Sequence, residues 1–145
     1  MSELTVTRTL HIAAHPSAVW AALTQAELIS EWFGDKTTID LRVGGVGAFS
    51  WDQWGDHGFV VEEIDEPHVF AFRWAHTAGD DATTDPATLV RFTLAPQGGG
   101  TELTVVETGW EQFGDDATKF AGENTAGWLE ELDELKAFLE KEDSM

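Results

Sequence analysis

The sequence predicts an α+β fold in which a curved antiparallel sheet of about seven strands wraps a long C-terminal helix. Three observations predict it. Short apolar stretches separated by brief turn signals run from Thr37 to Thr108, a long amphipathic stripe fills Asp115 to Lys141, and other helical spacing is confined to the segment after the first strand.

Residues 3–13 set Leu4, Val6, Leu10 and Ile12 against Thr5, Thr7, Thr9 and His11, the alternation of a half-buried strand, with Arg8 as its one lapse. Pro16 then suits the first turn of a helix, and Ala18, Val19, Ala22 and Leu23 recur at helical spacing. A second short helix is predicted over Ala26 to Trp32, ended by Gly34-Asp35. Six further strands are predicted at Thr37–Val43, Gly47–Trp54, Phe59–Ile64, Val69–Ala75, Thr88–Ala95 and Glu102–Thr108. The breaks between them include Gly44-Gly45, Gly55-Asp56, Asp65-Glu66-Pro67 and Gln97 to Gly100. Such breaks are too short for the crossovers that parallel pairs require, so the sheet is expected to be antiparallel. In the last stretch Ala117, Phe120, Ala121, Thr125, Trp128, Leu132, Leu135 and Leu139 fall on one stripe. Asp115 and Asp116 suit the positive start of that helix and Lys136 and Lys141 its negative end, while Gly127 would allow close approach to its backbone.

A chain of 145 residues buries roughly 68–70% of its unfolded surface, enough for a core without staples. Cys is absent, which excludes disulfides, thiolate metal sites and cysteine nucleophiles. Eight basic against 27 acidic residues give a net charge of −19, which argues against nucleic acid and anionic membranes as partners. No stretch has the layout of a signal peptide or the length of a membrane span, so a cytoplasmic protein is expected, without membrane insertion. No repeat or linker interrupts the pattern, so residues 1–145 are expected to form one domain. Seven Trp and nine Phe with no Tyr suit a dry core or an apolar pocket.

Strand parity places Phe49 with Trp51, Phe70 with Phe72 and Trp74, Val90 with Phe92 and Leu94, and Leu103 with Val105 and Glu107. If those faces grip the helix they meet Trp128 and Leu132, with Trp32, Phe33, Trp110 and Phe113 closing the ends. The rings either pack solid or line a cavity. An empty hollow of about 300 Å³ would forfeit about 7 kcal/mol, comparable with a total stability of about 5–15 kcal/mol. A large pocket should therefore be occupied, wet or collapsible.

Glu107 is the first candidate for pocket acid-base work, because it continues an apolar face toward the aromatic end, where removal from water works against a charged carboxyl. Glu62, in step with Val60 and Ile64, is the second. Either could instead reach water or pair with Arg73 or Arg91. Metal and cofactor sites are not expected: His11 and His15 are separated by the break at Pro16, and Asp80, Asp81 and Asp85 lack the ordered spacing of a calcium loop. His57, His68 and His76 fall near turns or strand ends, where solvation is expected. No phosphate-binding glycine run precedes a helix, and no GxSxG elbow occurs.

Taken in order, Ile12-Ala13-Ala14, Val19 to Thr24, Leu28, Trp32-Phe33, Asp40 to Gly45 with Phe49, Gly58, Val60, Glu62, Pro67, Phe72, Trp74, Val90-Phe92-Leu94, Gly100 to Thr104 and Gly127-Trp128 with Leu132 resemble the SRPBCC (START-like) superfamily. Within it they are similar to the heat-shock chaperone ATPase activator (AHSA-type) family. The resemblance implies the helix-grip fold, with a cavity between sheet and helix that many relatives use for apolar molecules. It implies first a binding or carrier protein for a small hydrophobic ligand, aromatic or lipid-like. Alternatives are a polyketide cyclase or hydratase-like enzyme using a pocket carboxylate, and a co-chaperone-like interaction module. The eukaryotic activators carry a separate N-terminal domain for which 145 residues leave no room, which weighs against a chaperone partner. A monomer or homodimer is expected.

Overall fold

The computed structural model describes residues 4–53, 55–82 and 86–143. Its elements follow the chain as β1 (Val6–Ile12), α1 (Pro16–Thr24), α2 (Ala26–Ile29), β2 (Lys36–Ile39), β3 (Val46–Trp51), β4 (Gly55–Asp65), β5 (Val69–Ala75), β6 (Ala87–Gln97), β7 (Gly100–Thr108), a 3-10 segment (Trp110–Asp116) and α3 (Ala117–Asp143). The strands form one seven-stranded sheet in the order β1-β7-β6-β5-β4-β3-β2, every pair antiparallel. The hairpins of β2 through β7 make a meander, as their short turns dictate. β1 instead returns to the far edge, where Val6 pairs with Glu107 and Ile12 with Thr101.

The core lies between the concave side of the sheet and α3, with α1 and α2 closing one side. Ile12, Val19, Ile29, Phe59, Val61, Phe70, Phe72, Leu103, Leu132 and Leu135 are among its fully buried side chains. Burial of each such group stabilises the fold by roughly 1.5–3 kcal/mol. Arg8, the lapse in the β1 alternation, fastens strand to helix. Its Nη1 donates to the Leu129 carbonyl at 2.6 Å, and its Nη2 pairs with Asp133 at 2.7 Å.

Several boundaries differ from expectation. β2 stops at Ile39 rather than Val43, because the chain folds into a tight turn: Arg42 N–H donates to the Asp40 carbonyl, and Arg42 Nε pairs with the Asp40 carboxylate. Gly45 is required there, since a Cβ would sit 2.0 Å from the Asp40 oxygen. β4 begins at Gly55, four residues earlier than expected, because Gly55 and Asp56 continue the pairing with β3. The last helix is preceded by the 3-10 segment and bends into it at Gly114, which has φ 58. Along α3 Thr125 faces outward, with its hydroxyl bonded back to the Ala121 carbonyl, and Asn124 takes the inward place. The Trp54 end of the expected third strand and Asp85 of the acidic loop lie outside the described residues.

Candidate functional site

Between the sheet and the middle of α3 the side chains leave almost nothing open. A void of about 10 Å³, lined by Trp32, Phe33, Phe49, Phe72, Phe92 and Trp128 among others, is at the limit of the space one water needs. Under the middle of the helix the space between sheet and α3 is thus filled by rings. Trp32 is fixed by its indole N–H on the Ala22 carbonyl, 2.8 Å away, and Leu132 is fully buried.

The open volume lies at one end, where β3, β4 and β5 meet α3. This pocket holds about 230 Å³. Its apolar wall is Phe33, Trp51, Trp74 and Trp128, and Ala75 and Gly127 complete it. His57, His76, Asn124 and Glu131 are its polar groups. Phe33 and Trp128 stack with ring centroids 5.6 Å apart and planes 2° from parallel, and Trp51 meets Phe33 edge-on at 5.1 Å. Gly127 matters by what it lacks: a Cβ there would meet nothing within 4 Å, so its bare backbone faces open space.

Of the twelve residues expected to contact a ligand, four therefore line the pocket. Phe49, Phe72, Phe92, Trp32 and Leu132 lie in the packed interior. Trp110 is fully buried, and Phe113 packs beside the pocket against His76 and Phe120. Glu107, the twelfth, stands behind the wall.

Glu107 is fully buried because it follows Leu103 and Val105 on the inward side of β7. Four side chains donate to it. Trp128 Nε1 reaches Oε1 at 2.8 Å, Trp74 Nε1 reaches Oε2 at 2.8 Å, Thr88 Oγ1 reaches Oε2 at 2.5 Å, and Asn124 Nδ2 lies 3.1 Å from both oxygens. A carboxylate offers about four acceptor sites, so this set leaves no lone pair directed to the pocket. The arrangement is that of a positioning residue: one buried carboxyl group holds the two indoles of the pocket wall by their N–H edges. Glu62 is on the other side of the sheet. A bulge between Val61 and Glu63 breaks the parity that would have aligned Glu62 with Ile64, and Glu62 is exposed and paired with Arg73 at 3.2 Å.

His57 and His76, expected to be solvated, belong to the pocket. His57 Nδ1 lies 3.2 Å from the Ala75 carbonyl, and the His76 ring stacks on Phe120 with centroids 4.2 Å apart. Burial lowers the His76 pKa, against the opposing pull of Glu107 and Glu123. His68 is exposed. Among the described residues no three His, Asp or Glu gather to hold a metal ion, and no helix is long and apolar enough to cross a membrane.

Glu131 is the residue that strand-based reasoning missed. Asn124, Gly127, Trp128 and Glu131 follow one another at steps of three, one and three, which puts all four on one side of α3. That spacing was the available signal. Glu131 Oε2 is buried with no hydrogen-bond partner among the described residues. Burial raises the carboxyl pKa to about 7, helped by Glu134 and Glu130. An acid whose pKa is higher folded than unfolded adds stability that is complete below pH 4.5 and lost as pH rises through about 7. Because the group is half-buried, screening should limit the effect to ~1 kcal/mol. Glu131→Gln should remove that slope, so urea midpoints at pH 5 and pH 8 should converge in the variant.

The profile of the Activator of Hsp90 ATPase homolog 1-like protein family matches residues 13–140. Among solved structures, protein MLL2253 from Mesorhizobium loti is 29% identical, with 95% of this chain and 98% of that chain aligned and a TM-score of 0.82. CalU16 from Micromonospora echinospora is 26% identical over 97% of this chain and 78% of its own, with a TM-score of 0.73. Aha1 from Colwellia psychrerythraea, a dimer in solution, is 20% identical over 94% and 96%, with a TM-score of 0.79, and shares the fold. No curated protein sequence matches the chain.

Proposed function

The chain belongs to the Activator of Hsp90 ATPase homolog 1-like family, of the SRPBCC type, and from that premise we propose that it binds a small, largely aromatic molecule in the pocket between the end of the sheet and α3. The observation that carries this reading is the four-ring wall of Phe33, Trp51, Trp74 and Trp128 around about 230 Å³ of open space. Ligand sites usually span about 300–1,000 Å³, so the volume favours one or two rings over a long acyl chain. Binding is favoured over catalysis by Glu107, because that carboxylate already accepts from four donors and stands behind the wall.

Gly127 gives the test. Gly127→Phe places a ring into open space without meeting any neighbour at Cβ, so the protein should fold and the pocket should be blocked. Gly127→Ala should keep the pocket and stabilise α3 by about 0.5–1 kcal/mol, the usual gain over Gly within a helix. Quenching of Trp fluorescence by a library of small aromatics should show binding to wild type and Gly127→Ala, and none to Gly127→Phe. Equal binding by all three would place the ligand elsewhere, and no binder for wild type would end the proposal.

A further inference from the structure

The pocket has an electrostatic character that its apolar walls alone do not set. Aromatic rings carry negative charge on their faces and positive charge on their edges. Trp74 and Trp128 have their N–H edges tied to Glu107, so the positive edge is engaged behind the wall and a carboxylate stands behind two of the rings. Glu131 is one of the lining residues, and its Oε2 is buried without a donor among the described residues. Among the described residues no Lys or Arg lines the pocket, and of its two imidazoles His76 is kept toward the neutral form by burial. The chain as a whole carries −19, which draws cations toward such a cleft.

From the ring faces, the unpartnered carboxylate and the lack of basic side chains, we infer that the pocket selects an organic cation, an apolar or aromatic body bearing a quaternary or protonated amine. The ammonium group would rest against the indole faces and beside Glu131, the arrangement by which aromatic cages hold methylated amines. A neutral aromatic would fill the same volume but leave the Glu131 oxygen removed from water and unmatched. This inference rests on the pocket being a binding site and adds the charge of its ligand.

Benzyltrimethylammonium and its neutral carbon isostere neopentylbenzene, nearly identical in shape, separate the two ideas. At pH 8, where Glu131 is ionised, tryptophan quenching should show wild type binding the cation about tenfold or more tighter than the isostere. Glu131→Gln should reduce that preference to about threefold or less, while its thermal unfolding shows a folded protein. Equal or tighter binding of neopentylbenzene by wild type overturns cation selection and leaves the pocket reading standing. A preference that survives in Glu131→Gln also overturns it. If neither compound binds wild type and no other small aromatic does, both readings fall together.

Discussion

Glu107→Gln should destabilise the protein by about 2–4 kcal/mol, although it changes a single atom of a side chain that no solvent reaches. Every group around Glu107 other than the Thr88 hydroxyl can only donate in the geometry observed: two indole N–H groups and the Asn124 amide. A glutamine replaces one accepting oxygen with a donor, so an indole N–H is left facing another N–H in the interior. Each buried donor without a partner costs about 1–3 kcal/mol, and the opposed pair adds to that. Urea denaturation would measure the loss, and an unchanged midpoint would show that the network contributes nothing. A double-mutant cycle with Trp74→Phe should give a coupling of about 1 kcal/mol or more, which a change in general packing would not produce.

Trp128→Ala is the second large effect. The indole is buried and stacked on Phe33, near Trp74 and Phe92, and hydrogen-bonded to Glu107. Truncating a large aromatic in such a setting costs about 3–5 kcal/mol. Trp128 also lines both the outer pocket and the small interior void. Its removal should join the two, so the variant, if it still folds near 15 °C, should accept bulkier aromatics than wild type. Calorimetric unfolding and quenching titrations with a graded series of ring systems would check both parts. A loss of stability with no change in size preference would mean that Trp128 is core only.

The sheet and the long helix were legible because their signals are local. Val6, Leu10 and Ile12 alternate, Trp128, Leu132, Leu135 and Leu139 repeat at helical steps, and the Gly and Pro breaks sit where the chain turns. The inward place of Glu107 followed from parity with Leu103 and Val105. What periodicity could not convey was where the space is. Phe49, Phe72 and Phe92 share the inner face with Trp74, yet they pack solid while Trp74 borders open volume, and that difference depends on how rings from four elements interdigitate. The bulge after Val61 similarly defeats alternation: Glu62 stays on the outer side, but the extra residue sends Glu63 to solvent and turns Ile64 to the core, away from the side of Glu62. His57 and His76 were read by nearness to turns, a guide to exposure that fails where a strand end is roofed by a helix.

The pairing of β1 with β7 has a consequence for synthesis. During translation the opening strand emerges first, yet its hydrogen-bonding partner is made only when the chain has grown past Glu107. At roughly 5–20 residues per second the strand must wait about 5–20 s. Throughout that interval the nascent chain is without its closing seam, and the polar outer positions Thr7, Thr9 and His11 leave one side of the idle segment unattractive to other copies. Chain growth past Glu107, rather than local folding speed, would then set when this seam can first close.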